Sequence, residues 1–277
     1  MTTTLFAQIT DLHIREPGRL AYGRINTAPY LENAVAAINA LPQQVEAVVI
    51  TGDLTDFGRD AEYAHLHELL APLKAPIYMI PGNHDERNRL RACFPSHTYL
   101  DGDSRFAQFV VPVGPLRLIA LDTGEIGLSS GRLCKERLAW LEKALADNAE
   151  HPVVIAMHHP PFDTLIGHMD KIGLLEGAPE LEALVRQHPN VERIICGHLH
   201  RAIDTRFGGT IASTCPAPAH QVCLDLAPDA ESAWCLEPPA YRLHAWDPGA
   251  NRLVSHLAMV GPYEGPYPFH DMGKLID

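Results

Sequence analysis

The 277-residue chain has no apolar run near the roughly eighteen residues that a membrane span needs, so no membrane partner is expected. Its opening segment, Met1 to Thr10, carries no basic stretch, and the apolar run there is broken at Asp11. A secretory signal is therefore not expected, and the chain reads as cytoplasmic. Six cysteines (Cys93, Cys134, Cys196, Cys215, Cys223, Cys235) show no CxxC pairing and no short regular spacing. That pattern gives no disulfide framework and fits free thiols in a reducing compartment. Positive charge is scarce: 22 Lys and Arg face 34 Asp and Glu, for a net charge of −12 and a pI near 5.7. A nucleic-acid polymer needs a basic face to track phosphates, so it is not an expected partner. There is no internal repeat and no low-complexity segment. With 46% apolar and 20% charged residues, the chain is neither disordered nor a coiled coil.

What the sequence has in excess is histidine, sixteen in all, several in two tight groups. Residues 1–200 alternate strand-like and helix-like segments. Apolar runs at Leu5–Thr10, Ala47–Thr51, Ile77–Ile80, Leu116–Leu121, Val153–Met157 and Arg193–Cys196 read as buried strands. Helical faces are marked by Leu31, Val35 and Ile38 (near Ala28–Leu41, with Thr27 as N-cap) and by Leu66, Leu69 and Leu70, starting at Asp60. Leu138, Leu141 and Leu145 mark a third helix, and Leu181, Leu184 and Val185 a fourth, after Pro179. This alternation predicts a layered α/β fold. From Thr210 on, proline and glycine are dense and helical periodicity disappears. Tyr241–Trp246 and Leu253–Met259 read as strands around the turn Asp247-Pro248-Gly249.

The unusual residues follow the strands. Asp11 and His13 come after the first, Gly52-Asp53 after the second, and Pro81-Gly82-Asn83-His84-Asp85 after the third. His158-His159-Pro160 and Gly197-His198-Leu199-His200 follow two later ones. In open α/β sheets ligands bind outside the carboxyl ends of strands. One such residue would be a cap or a satisfied polar group; five on one edge are hard to explain that way. Carboxylate, amide and imidazole donors together suit Mn, Fe, Zn or Co. Asp11/His13 and His198/His200 are each two residues apart, so both members of a pair reach one ion only if the chain leaves extended geometry. Seven candidate ligands (Asp11, His13, Asp53, Asn83, His158, His198, His200) over-supply one metal. Two divalent ions sharing Asp53 fit better. Only Asp11 and Asp53 among them are anionic, so a two-metal site stays positive within an acidic protein and attracts a phosphate ester.

In this order the residues resemble the calcineurin-like metallophosphoesterase family, whose pattern D-x-H, G-D, G-N-H-[DE], His, G-H-x-H is complete between residues 11 and 200. Local details look like its class III cyclic nucleotide phosphodiesterases and bacterial glycerophosphodiesterases: Asp53-Leu54-Thr55-Asp56 before Gly58, Met157-His158-His159-Pro160-Pro161, and His220-Gln221-Val222. The resemblance implies two mixed β-sheets packed as a sandwich and flanked by helices, with a small C-terminal cap. It divides the chain into a dinuclear-metal core, 1–210, and strands and loops at 211–277 that complete the sheet and form a cap or oligomer contact. It implies one metal on Asp11, His13, Asp53 and His200 and another on Asp53, Asn83, His158 and His198. The activity implied is hydrolysis of a small soluble phosphodiester, 3′,5′-cyclic AMP or a glycerophosphodiester, by in-line attack of a metal-bridging hydroxide. A broad phosphomonoesterase and a catalytically silent scaffold stay open as alternatives, although no ligand position is broken.

Around this set, His84 is expected to contact phosphate and act as leaving-group acid, oriented by Asp85. His220 is expected on the substrate side, and His159 turned away from the metals. Tyr22-Gly23-Arg24 lies in a loop that either lines the pocket or is solvated. His65 and His67 are expected at the surface. The loop Phe162–Gly177 and the Pro-rich stretch near Trp234–Tyr241 are expected to shape substrate choice. The aromatic and proline content of the tail also hints at a homodimer.

Overall fold

Valine- and isoleucine-rich segments build two sheets in the computed structural model, which describes residues 2–101 and 105–275. In chain order the strands begin with β1 (Thr4–Ile9), β2 (Ala47–Thr51), β3 (Ile77–Ile80), β4 (Phe109–Val113), β5 (Leu116–Ala120), β6 (Gly131–Arg132), β7 (Val153–Met157) and β8 (Leu174–Glu176). They continue with β9 (Val191–Cys196), β10 (Ile203–Phe207), β11 (Thr210–Thr214), β12 (Gln221–Val222), β13 (Trp234–Cys235), β14 (Ala240–Asp247) and β15 (Arg252–Met259). The helices include α1 (Ala28–Asn39), α2 (Asp60–Leu70), α3 (Arg87–Cys93), α4 (Lys135–Asp147), α5 (Gly167–Asp170) and α6 (Ala178–Gln187). One sheet has the order β15-β14-β1-β2-β3 and the other β10-β11-β9-β7-β5-β4. Both are mixed: β1, β2 and β3 run parallel, as do β5, β7, β9 and β11, while β14, β15, β4 and β10 are antiparallel to their neighbours.

Alternation along each strand divides the core. Phe6, Ala47, Val49, Leu118, Val154, Ala156 and Ile195 meet between the sheets. The opposite face of the first sheet (Ala7, Ile9, Val48, Ile50) packs on Leu31, Val35 and Ile38 of α1 and Leu66 and Leu70 of α2. The outer face of the second (Ile119, Ile155, Met157, Ile194) packs on Leu141 and Leu145 of α4 and Leu181 and Val185 of α6. The period-2 strands and period-3.6 helices thus form a sandwich flanked by helices, as expected. Among the described residues, no helix is long and apolar enough to cross a membrane.

Several expectations need correction. Thr27 occupies the N-cap of α1, but its hydroxyl donates to the carbonyl of His13 at 2.9 Å; the Asn26 side chain accepts from Ala28 N instead. His65 is half-buried, its ring 2.7 Å from the Arg15 carbonyl, while His67 is exposed. The segment 162–177 is not a bare loop, because it contains α5 and the β8 strand that pairs with β6. β4 and β10 escaped the search for apolar runs. Both lie at sheet edges, where the proline that interrupts β4 (Pro112) and the polar Asp204, Thr205 and Arg206 of β10 are tolerated.

A polar seam joins the sheets beneath their carboxyl ends. Gln8 Nε2 donates to Thr51 Oγ1 and to the Cys196 carbonyl, both at 3.0 Å. Its Oε1 lies 3.2 Å from His244 Nε2, whose Nδ1 is 2.7 Å from Ser255 Oγ. Burial, reinforced by Arg193 and Arg242, holds the His244 imidazole well below its usual range. The unfolded chain takes up this proton near pH 6.5 and the folded chain does not. The stabilisation is therefore complete above about pH 6.5 and is lost as pH falls, by about 1.4 kcal/mol per pH unit for this group. Denaturant midpoints between pH 6.5 and 4.5 are expected to fall less steeply in His244→Gln, by one proton's worth of slope. An identical slope would show that this histidine does not govern acid stability.

Candidate metal centre

The predicted ligands converge because the chain turns sharply at each strand end. Asp11 (φ 53°), His13 (φ 45°), Asp53 (φ 49°), His198 (φ 70°) and His200 (φ 52°) all adopt the left-handed region. Each such residue costs about 1–2 kcal/mol and persists only where its surroundings over-determine it. The turns bring both members of the D-x-H and H-x-H pairs to one point. Backbone bonds hold them: Asp11 N donates to the Gly52 carbonyl and His13 N to the Asp53 carbonyl, each at 3.0 Å. Asp11, His13, Asp53 and Asn83 follow strands of the first sheet; His158, His198 and His200 follow strands of the second.

Asp53 lies at the centre. Its Oδ2 is 3.6 Å from His13 Nε2, and its Oδ1 is 3.4 Å from His158 Nε2 and accepts from the His84 amide at 3.0 Å. On one side His13 Nε2 is 3.3 Å from His200 Nε2, which is 3.4 Å from Asp11 Oδ1. On the other, His158 Nε2 is 3.1 Å from Asn83 Oδ1. Ligands about 2.1 Å from one ion stand about 3.0–3.4 Å apart at the corners of an octahedron or tetrahedron, so these spacings fit metal coordination.

Ring orientation gives a second test. His158 Nδ1 faces the Thr51 carbonyl at 2.8 Å, His200 Nδ1 the His220 carbonyl at 3.0 Å, and His13 Nδ1 Asp56 Oδ1 at 3.3 Å. The Ile172 backbone holds the His198 ring, leaving His198 Nε2 buried without a hydrogen-bond partner. His13, His158 and His200 are thus anchored on Nδ1 and turn Nε2 toward the centre, the arrangement that metal-ligating histidines adopt. The residues fit two divalent ions.

Electrostatics agree. Burial alone would raise the Asp53 carboxyl, but the His158, His84 and His13 rings outweigh it and hold Asp53 well below the usual carboxylate range. Burial works against a charged His158, yet Asp53 and Asp11 push that ring up to about 9. Burial lowers His198 to about 3, and together with His220 and His13 it holds His200 well below the imidazole range. Those two rings are neutral and ready to ligate.

The centre opens into a cavity of about 250 Å³, whose wall includes Tyr22, Ser129, His168, Met169, Val222 and Trp234. His84 and His220 both line it. The His84 ring is not oriented by Asp85: its Nδ1 is 2.8 Å from the Asp56 carbonyl. The Asp85 carboxylate instead accepts from the amides of Leu54, Thr55 and Gly82 and from the Tyr63 hydroxyl, at 2.9–3.2 Å. It fixes the loop carrying Asp53 rather than the cavity-facing histidine. His220 Nε2 is 3.2 Å from the Tyr22 hydroxyl, and burial lowers its pKa to about 3. His159 engages both ring nitrogens, with Thr123 Oγ1 at 2.8 Å and the Ser129 carbonyl at 3.1 Å, although its ring lies against His158 and His198. Of the Tyr22-Gly23-Arg24 loop, Tyr22 lines the cavity, while Gly23 and Arg24 do not. Asp56 and His168 were missed as site residues. Asp56 stands out in the sequence only within the stretch Asp53-Leu54-Thr55-Asp56, and nothing local distinguishes His168 from a loop histidine.

A family model described as calcineurin-like phosphoesterase matches residues 4–202. A probable glycerophosphodiester phosphodiesterase, GpdQ, from Arcobacter nitrofigilis is 37% identical over 274 residues, 99% of this chain and 100% of that one. A probable cyclic nucleotide phosphodiesterase from Rhodopseudomonas palustris is 35% identical over 275 residues, 98% of this chain and 97% of that one. A dimetal phosphatase from Danio rerio shares the fold, with a TM-score of 0.62 at 17% identity over 91% of this chain and 98% of that one. The strand-end ligands and the full-length relatives lead to one assignment: the chain belongs to the calcineurin-like phosphoesterase family.

Proposed function

We propose that the chain is a metal-dependent phosphodiesterase, with glycerophosphodiesters as its substrate class. The observation that carries this reading is Asp53, which turns one oxygen to His13 and the other to His158 at the floor of a small cavity. One ion would be held by Asp11, His13, Asp53 and His200, and the other by Asp53, Asn83, His158 and His198. Bound there, a divalent pair supplies an activated water and neutralises charge on the phosphate. Asn83 contributes a neutral donor, which spares a negative charge and favours an anionic substrate.

The surroundings of His84 support a proton-transfer role. With Nδ1 on the Asp56 carbonyl, Nε2 is free on the cavity side, 4.0 Å from Asp53 Oδ2. We assign it the phosphate contact and the proton delivered to the departing alkoxide. His220, neutral and braced by Tyr22, lines the wall as a contact for the ester's alcohol. A cavity of about 250 Å³ lies below the usual ligand-pocket range of about 300–1,000 Å³ and suits a three-carbon alcohol. A cyclic nucleotide is the second reading, favoured by the Tyr22 and Trp234 rings, 5.5 Å apart, against which a base could stack.

The test is hydrolysis by chelator-stripped protein before and after adding Mn²⁺. Bis(p-nitrophenyl) phosphate is expected to be cleaved only with metal, and at least about tenfold faster than p-nitrophenyl phosphate by kcat/KM. Preference for the monoester, or cleavage indifferent to metal, would sink the proposal. The same criterion applied to glycerophosphoethanolamine and 3′,5′-cyclic AMP decides between the two diesters.

A further inference from the structure

The β12–β13 ribbon has two faces with different chemistry. Val222 pairs with Trp234, and both side chains line the cavity beside the metal centre. Side chains alternate along each strand, so the neighbouring residues point the other way. On that reverse face Gln221 pairs with Cys235, and Cys223 donates its amide to the Ala233 carbonyl at 2.9 Å. Cys223 and Cys235 are therefore diagonal neighbours on one face of the ribbon. Both are half-buried, within reach of a small reagent.

The ribbon is tied to the ligand loop. Arg201, next to His200, donates from Nη1 to the Val222 carbonyl and to Glu237 Oε1, both at 2.8 Å. Gln221 Oε1 accepts from Glu237 N at 2.8 Å, and Glu237 Oε1 is 3.7 Å from Cys235 Sγ. A shift in the ribbon would be felt at the cavity wall and at the loop bearing His200.

We propose that Cys223 and Cys235 form a reversible disulfide under hydroperoxide stress, and that this bond reshapes the Val222–Trp234 wall of the cavity. The chemistry balances in two steps. One thiol is oxidised by the hydroperoxide to a sulfenic acid, which releases water when hydrogen peroxide is the oxidant. The second thiol's sulfur then displaces hydroxide from that sulfenic acid and forms the S–S bond, its proton leaving with the hydroxide as a second water. The hydroperoxide takes up the two electrons lost by the thiols. Diagonal positions in a regular ribbon are about 7–8 Å apart, whereas disulfide Cα atoms lie about 4.4–6.8 Å apart. Closing the bond must therefore draw the two strands together, which moves the residues on the opposite face. Burial, with the neighbouring thiol and Glu237, pushes the Cys235 thiol up to about 11, so Cys235 is a slow nucleophile and Cys223 is assigned the first, sulfenic-acid step.

The experiment treats the metal-loaded protein with stoichiometric hydrogen peroxide, then with a phosphine reductant. Peptide mapping is expected to show a Cys223–Cys235 cross-link, with loss of two hydrogens, that the reductant reverses. KM for bis(p-nitrophenyl) phosphate is expected to rise about fivefold or more with kcat little changed, and Trp fluorescence to shift, since Trp234 rides on the ribbon. Cys223→Ser with Cys235→Ser should abolish all three responses, while Cys93→Ser should retain them. Absence of the cross-link would overturn the proposal, as would a cross-link that leaves both KM and Trp fluorescence unchanged. The mass readout does not depend on the phosphodiesterase assignment, and oxidation of the metals would affect the double variant equally.

Discussion

Asp53→Ala is expected to lower kcat/KM for bis(p-nitrophenyl) phosphate by roughly ten-thousand-fold, because one substitution removes a donor from both halves of the centre. Its two carboxylate oxygens face different histidine sets, at 3.6 and 3.4 Å. Asp11 is already committed: it accepts from the His198 amide at 3.0–3.1 Å and lies beside His200. Elemental analysis should therefore find fewer than two ions per chain. Asp53→Asn separates charge from shape. It keeps one oxygen but loses the anionic bridge, and it should fold normally by circular dichroism while remaining nearly as inactive. Turnover within about tenfold of wild type in either variant would refute the bridging role.

Gly82→Ala should be almost as damaging, although the glycine touches no substrate. A Cβ built on Gly82 would stand 2.1 Å from Asp53 Oδ1 and 2.4 Å from Asp53 N. The second atom is backbone, so no rotamer change relieves the clash, and the two strand-end loops must separate. We expect a loss of about 2–3 kcal/mol in stability and roughly a hundredfold or more in kcat/KM. Gly167→Ala is the matched control, since its nearest neighbour, the Pro228 carbonyl, lies 3.8 Å away. Equal effects at the two positions would mean that close packing of the loops is not what Gly82 provides. The same reasoning covers Gly52, whose Cβ would meet His158 Nδ1 at 2.3 Å.

These two residues show why so much of the centre could be read from sequence. Ligand identity is a matter of residue type, and strand-end placement follows from hydrophobic runs that stop just before each ligand. What could not be read is partnership at long range. The carbonyl that orients His158 belongs to Thr51, 107 positions away in sequence. His84 turned out to rest on the Asp56 backbone, while Asp85, adjacent in sequence, holds the Asp53 loop. Adjacency favoured the wrong partner because backbone carbonyls carry no residue signature. β10, Ile203–Phe207, at one sheet edge, is not legible for a related reason: it is half-solvated and lacks the continuous apolar run of the central strands, whereas the edge strands β3 and β15 are readable.

The division of the ligands between the two sheets has a consequence for biosynthesis. Asp11, His13, Asp53 and Asn83 leave the ribosome early, but their complement, His158, His198 and His200, emerges only after most of the chain has been made. In the proposed assignment neither four-donor set is complete until His198 and His200 have been made. Raw affinity at a mixed nitrogen and oxygen site follows the same metal order in every protein, so geometry and supply decide occupancy. If those residues hold the ions, the complete sites first exist once β9 has docked, and the metals would be drawn from the pool around the folded chain.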